Sequence, residues 1–80
     1  MTDDLPLRLS QDLEAAFGDV VAAYQHAVYT TALRVSGRPE DAADVAAEAF
    51  LRAYAALRRY PAERIGQLQL RPWLLTIVLN

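Results

Sequence analysis

The stretch PEDAADVAAEAFLRAYAALRRY, residues 39–60, decides the fold. It has the residues that start a helix and an apolar stripe at helical spacing, and a proline that ends the helix follows it directly. Its first residue is a proline, which the first helical turn tolerates, and Glu40 and Asp41 complement the helix dipole. Pro61 ends the segment. At about 100° per residue, one apolar stripe with Tyr54 at its edge contains Ala42, Ala46, Ala49, Phe50, Ala53 and Leu57. These residues predict a helix that packs closely through small side chains.

A second segment with helical spacing precedes this one. It begins at Ser10 or Asp12, either of which can cap a helix, and Gly37 offers a C-terminal stop. Gly18 interrupts it, so the pattern allows either one bent helix or a short helix followed by a longer one. The residues expected on its inner side are Leu13, Phe17, Val20, Val21, Tyr24, Val28, Thr31 and Val35.

The C-terminal part contains a third helical segment, which Pro72 opens and which runs to Asn80. It is apolar nearly all round: Trp73, Leu74 and Ile77 are expected to face inward, leaving Leu75, Val78 or Leu79 exposed. Residues 61–70 mix proline, glycine and glutamine with charges and read as a loop. Since no stretch alternates like a strand, we expect an all-α bundle of three helices, or four if Gly18 divides the first.

Composition indicates one small domain. The chain has 80 residues and is 54% apolar, and only residues 1–9 lack periodicity, so we expect a flexible N-terminal tail before a domain over residues 10–80. The lack of cysteine excludes disulfides, thiolate zinc sites and a cysteine nucleophile, and fits the cytoplasm. The acidic start is no signal peptide, and no apolar run approaches the roughly twenty residues that span a membrane.

Catalytic patterns are weak. His26 lies among apolar residues, no nucleophile has a base at readable spacing, and the three glycines form no phosphate loop. Asp44 and Glu48 alone do not make a metal site. We therefore expect no enzyme, cofactor or metal. A small helical enzyme or ligand-binding domain stays open as an alternative, and it would require a pocket among Tyr24, His26 and Trp73.

The far side of the helix over residues 39–60 is the candidate binding surface. Glu48 and Arg52 form an ordinary i,i+4 pair, and an exposed Leu51 is common, so the side can be merely solvated. Alternatively it is a docking surface, with an apolar centre and flanking carboxylates that meet a basic helix. Its residues are Asp41, Asp44, Ala47, Glu48, Leu51 and Arg52.

The string from Gly37 to Tyr54 resembles the core-binding segment of region 2 in sigma-70 family transcription factors, most closely the extracytoplasmic-function group. Two flanking patterns agree. Upstream, Phe17, Val20, Tyr24, Val28, Tyr29 and Ala32 resemble that family's first long helix. Downstream, residues 73–80 resemble the start of its promoter-melting helix. The resemblance covers roughly residues 13–80.

This resemblance implies a role in transcription initiation. Asp44, Glu48 and Leu51 would face the clamp helices of the RNA polymerase β′ subunit, with Asp41 and Arg52 at the rim. Phe50, Tyr54 and Trp73 would belong to the core. Ala43 stands where the family often has glutamate, and Ala47 where it usually has a glutamine that contacts the clamp, so these positions bear on polymerase affinity.

Promoter DNA is the second partner that the resemblance implies, in a longer protein whose helix continues past Asn80 into a basic, aromatic segment. Here the candidate DNA contacts are Asn80, Arg71 and Arg64, and a net charge of −2 argues against duplex binding by this chain alone. A rival within the same fold is an interaction module bound by an anti-sigma factor. The apolar third helix also predicts a homodimer.

Overall fold

A computed structural model describes residues 4–80, and all the regular secondary structure of this part is helical. It contains five α-helices: α1 (Leu5–Gln11), α2 (Leu13–Ser36), α3 (Pro39–Leu57), α4 (Ala62–Gly66) and α5 (Leu70–Leu79). Residues 4–80 contain no strand, so the expected all-α class is confirmed. None of the described helices is long and apolar enough to cross a membrane.

Helix α1 corrects the expectation of a flexible tail over residues 1–9, of which residues 1–3 lie outside the described part. The Asp4 carboxylate accepts from the Leu7 backbone N–H at 3.1 Å and caps the helix. Leu9 is only 1% exposed, and α1 packs against α2 and α4. Burial of this leucine stabilises a helix too short to persist alone.

Helix α2 is one continuous helix through Gly18, which settles the choice between one helix and two. Asp12 caps it by accepting from the Ala15 N–H at 3.2 Å, and Gly37 ends it in the left-handed conformation, φ 76°. Val35, expected on the inner side, is 53% exposed because it lies in the last turn, beyond the buried Val28 and Ala32.

Helices α4 and α5 differ in detail from the expected pattern. The α3 helix ends at Leu57, three residues before the expected end, and the segment expected to be a loop contains the short helix α4 with buried Ile65. Helix α5 begins at Leu70, so Pro72 lies in its first turn rather than at its start. The physical reason is again burial, because Ile65 and Leu70 both join the core.

The inward face of α5 differs by one position from the expected one. Leu70, Leu74 and Val78 are buried at a spacing of four, so Val78, expected among the exposed residues, is a core residue. Leu75 is partly buried and Leu79 is 65% exposed. The apolar strip available for a dimer is therefore narrower than expected. Self-association through α5 stays a prediction that sedimentation at high concentration can check.

The core lies where α2, α3 and α5 meet. The expected stripe of α3 is confirmed, with Ala46 and Phe50 only partly buried. Phe17 of α2 makes edge contacts with Phe50 and Tyr54 of α3, with ring centroids 6.5 and 5.1 Å apart. The buried residues are Leu9, Ala16, Val20, Val28, Ala32, Ala42, Ala49, Ala53, Leu57, Ile65, Leu70, Leu74 and Val78. This core fixes the outward face of α3.

Gly18 within α2 and Gly37 directly after its end should respond oppositely to replacement by alanine. Gly18→Ala should raise the free energy of unfolding by about 0.5–1 kcal/mol, since alanine favours a helix interior and a Cβ there meets nothing within 4 Å. Gly37→Ala should lower it by about 1 kcal/mol, because only glycine adopts a positive φ without strain. Urea unfolding of both variants checks this, and equal effects would contradict the assigned conformations.

Candidate polymerase-docking face and nucleic-acid contacts

We call the outward side of α3 the docking face, formed by Asp41, Asp44, Ala47, Glu48, Leu51 and Arg52. All six are exposed, opposite the buried alanine stripe of the same helix. Leu51 is 72% exposed, the most of any large apolar residue in the described part. The face thus has an apolar centre at Leu51, with Glu48 about one helical turn and Asp44 about two turns before it, as the spacing predicted.

Two carboxylates of the docking face have no ion-pair partner within residues 4–80. Asp44 and Glu48 are exposed and lie one helical turn apart. By contrast, Arg38 at the start of α3 lies 3.6 Å from Asp41 and 4.0 Å from Glu40. The charge of Asp41 is therefore partly offset, whereas those of Asp44 and Glu48 are available to a basic partner.

Arg52 is placed differently from the other residues of the docking face. Its guanidinium donates to the backbone oxygen of Ile77 in α5 at 3.0 Å, and it makes no ion pair with Glu48 at i−4. Ile77 lies in the last turn of α5, where carbonyls need partners. Arg52 therefore ties the docking face to the end of α5. Its spacing in the sequence indicated only the pair with Glu48.

A shallow depression lies beside the carboxylates, lined by Asp44, Val45, Glu48 and Arg52. Val45 is partly buried and was not expected at this surface. It adds apolar area next to Asp44. The only sequence signal for it is its position, one residue after Asp44 and four after Asp41 on the helix.

The structure separates the three candidate DNA contacts. Arg64 in α4 lies over the ring of Tyr60, 3.8 Å from its centroid, and Tyr60 makes an edge contact with Trp73. Arg71 in α5 instead lines a groove shared with α2. Asn80 is exposed at the end of α5, where its backbone N–H donates to Thr76 and Ile77.

The enzyme alternative requires a pocket shared by Tyr24, His26 and Trp73. The groove in which His26 is exposed is lined by neither Tyr24 nor Trp73 and contains Arg71 instead. Residues 4–80 also hold no group of three or more histidine, aspartate and glutamate side chains that could bind a metal ion. The docking face therefore remains the main candidate site.

Comparison with known proteins identifies the family. The family pattern described as Sigma-70 region 2 matches residues 20–80. The ECF RNA polymerase sigma factor SigW of Bacillus subtilis (strain 168) is 34% identical over 65 residues, which cover 81% of this chain. The match covers 33% of SigW, so the chain spans about a third of the length of this relative. No solved structure gave a significant match.

The helical architecture agrees with both sequence matches. Residues 20–80 contain most of α2 and all of α3, α4 and α5, so the matched segment includes the docking face and the α2–α5 contact. The match to Sigma-70 region 2 covers more than half of the chain. The chain therefore belongs to the sigma-70 family of transcription initiation factors and contains an ECF-type region 2.

Proposed function

We propose that this domain binds core RNA polymerase through the docking face of α3, against the clamp helices of the β′ subunit. The observation that carries the proposal is the exposed Leu51 beside Asp44 and Glu48, two carboxylates without ion-pair partners in the described part. Charged and polar groups around an apolar centre are the usual arrangement of a specific interface. The proposed site of action is the cytoplasm, where the polymerase works.

Promoter opening is the second part of the proposal. By analogy with the family, α5 would begin the helix that helps to recognise and melt the minus-ten element. Support comes from the position of α5, which packs against both α2 and α3 and leaves Asn80 exposed at its end. Arg52 connects this end to the docking face through the Ile77 carbonyl. Polymerase binding and promoter contact would thus involve adjoining parts of one domain.

Leu51 provides the direct test of the docking face. Leu51→Ser should weaken binding to a β′ clamp-helix fragment by about tenfold to a hundredfold, because burying a leucine side chain contributes roughly 1.5–3 kcal/mol. Isothermal titration of the fragment with each variant measures this. Leu79→Ser is the matched control, since Leu79 is also exposed but lies on α5. Equal losses for the two variants, or none for Leu51→Ser, would contradict the proposed face.

A rival proposal assigns the same face to an anti-sigma factor. Capture experiments with core polymerase and, in parallel, with a purified anti-sigma domain separate the two. Retention of core polymerase by the wild-type chain supports the proposal. Failure to retain it, together with binding to a purified anti-sigma domain, would support the rival.

A further inference from the structure

Helix α4 is held against the rest of the domain mainly by α1. Among the helices of the described part, α1 is the one with which α4 makes extensive contact, although residues 12–61 lie between the two along the chain. By contrast, α5 packs against both α2 and α3. The position of α4 therefore depends on a helix from the opposite end of the described chain.

Neither α1 nor α4 is long enough to be stable alone. Helix α1 has seven residues and α4 has five, whereas isolated helices shorter than about twelve residues are marginal in water. Each helix contributes one side chain to the buried core, since Leu9 is 1% exposed and Ile65 is 5% exposed. No side chain caps the start of α4. Burial against neighbouring helices therefore supplies most of the stability of both.

The two short helices meet closely at the end of α3. Leu9 of α1, Leu57 of α3 and Ile65 of α4 line one cleft, and all three belong to the core. A Cβ added at Gly66 would lie 3.9 Å from the hydroxyl oxygen of Ser10, so the backbone of α4 approaches α1 to van der Waals distance. Loss of either helix would therefore uncover apolar surface on the other.

The attachments of the two helices to the rest of the domain are unequal. Helix α1 is also joined to α2 by an ion pair between Arg8 and Asp19, whose side chains are 39% and 56% exposed, so water and salt weaken this pair. Helix α4 carries Arg64, whose guanidinium lies over the ring of Tyr60 in the turn before it. The order of α4 thus determines where Arg64 lies in the connection between α3 and α5.

We propose that α1 is a strap that keeps α4 folded, so that the two helices open and close as one unit while α2, α3 and α5 stay folded. Local opening selects the segments with the fewest buried side chains, and α1 and α4 bury one each. Opening releases Arg64 from Tyr60 and makes the connection between α3 and α5 flexible. Helix α1 lies before residues 20–80, so an element outside the family match controls the order of a segment within it.

Amide hydrogen exchange of the full chain under native conditions, followed by NMR, tests the strap. One reporter is the Asp12 N–H, which donates to the Arg8 carbonyl at the end of α1, and the other is the Ile65 N–H, which donates to the Pro61 carbonyl in α4. Ile65→Val should speed exchange at both reporters about fivefold, because it removes one buried methylene from the shared unit. Leu9→Ala should speed both by about thirtyfold or more.

Val28→Ala is the control, because Val28 is buried in α2, outside both short helices. This change destabilises α2 in the closed and the opened strap alike, so exchange at the Asp12 and Ile65 amides should stay within about twofold of the wild type. Exchange at the amide of Ala49, which is buried in the middle of α3, should accelerate. This contrast separates opening of the strap from unfolding of the whole domain.

Two results would overturn the inference. The first is faster exchange at the Ile65 amide alone in Ile65→Val, which would show that α1 and α4 open independently. The second is equal acceleration at Asp12, Ile65 and Ala49 in Val28→Ala, which would show that the short helices open only with the whole domain. If Leu9→Ala does not fold, Ile65→Val still decides, since the loss of one methylene leaves most of the stability intact.

Discussion

Leu74→Ala should lower the free energy of unfolding by about 3 kcal/mol, because large-to-small changes at buried leucines remove transfer free energy and leave a cavity. Leu74 is 1% exposed and lies in the middle of α5, which packs against α2 and α3. A domain of this size has a total stability of only about 3–5 kcal/mol. The variant should therefore be largely unfolded near 37 °C, with a Tm lower by roughly 15 °C.

Leu79→Ala provides the control for this prediction, since it makes the same change in the same helix at a side chain that is 65% exposed. Its stability should stay within about 0.5 kcal/mol of the wild type. Thermal unfolding followed by circular dichroism compares the two. Similar Tm values for both variants would mean that the buried face of α5 has been assigned wrongly.

Local patterns were sufficient to predict α3 and its two faces. The first-turn proline, the acidic first turn and the alanine stripe all lie within residues 39–60, so their meaning does not depend on distant contacts. The same reasoning located the outward residues of the docking face correctly. The structure shortens the helix by three residues, because the turn after Leu57 begins before Pro61.

Helices α1 and α4 could not be predicted in this way. Each has seven or fewer residues, and the periodicity of so short a segment does not stand out. Their stability comes from burial of Leu9 and Ile65, and α1 packs directly against α4. One detail was readable in advance: Asp12 is a good cap, and in the structure it ends α1 and begins α2.

Contacts between residues far apart in the sequence account for the remaining differences between the predicted and the observed surroundings of the candidate site residues. Arg52 has Glu48 as its neighbour along the helix, yet it binds a carbonyl 25 residues away. Arg64 and Arg71 were both candidate DNA contacts, but Arg64 lies over Tyr60, whereas Arg71 lines a groove between α2 and α5 together with Arg34. Only the packing of α5 on α2 creates that groove, so spacing along the sequence could not show that Arg71 and Arg34 lie in it together.

The double variant Asp44→Lys, Glu48→Lys should weaken binding to core polymerase by about 2 kcal/mol, or roughly thirtyfold, if this pair meets a basic helix at the centre of the interface. Both carboxylates lack ion-pair partners in the described part, so reversing them breaks no ion pair within the domain. Both are exposed, so helicity should persist. Titration of the β′ clamp-helix fragment with wild type and variant gives the ratio of Kd values.

The control for this variant must likewise replace two carboxylates by lysines, but elsewhere on the chain. Glu14→Lys, Glu63→Lys serves, because both glutamates are exposed and lie on α2 and α4, outside the docking face. If general attraction to a basic partner dominated, both double variants would lose affinity equally. High salt would then abolish the difference in affinity between the wild type and either variant. A loss confined to the Asp44, Glu48 pair that persists at moderate salt would support a desolvated contact at the docking face. Unchanged affinity with intact helicity would place the polymerase contact on another surface of the domain.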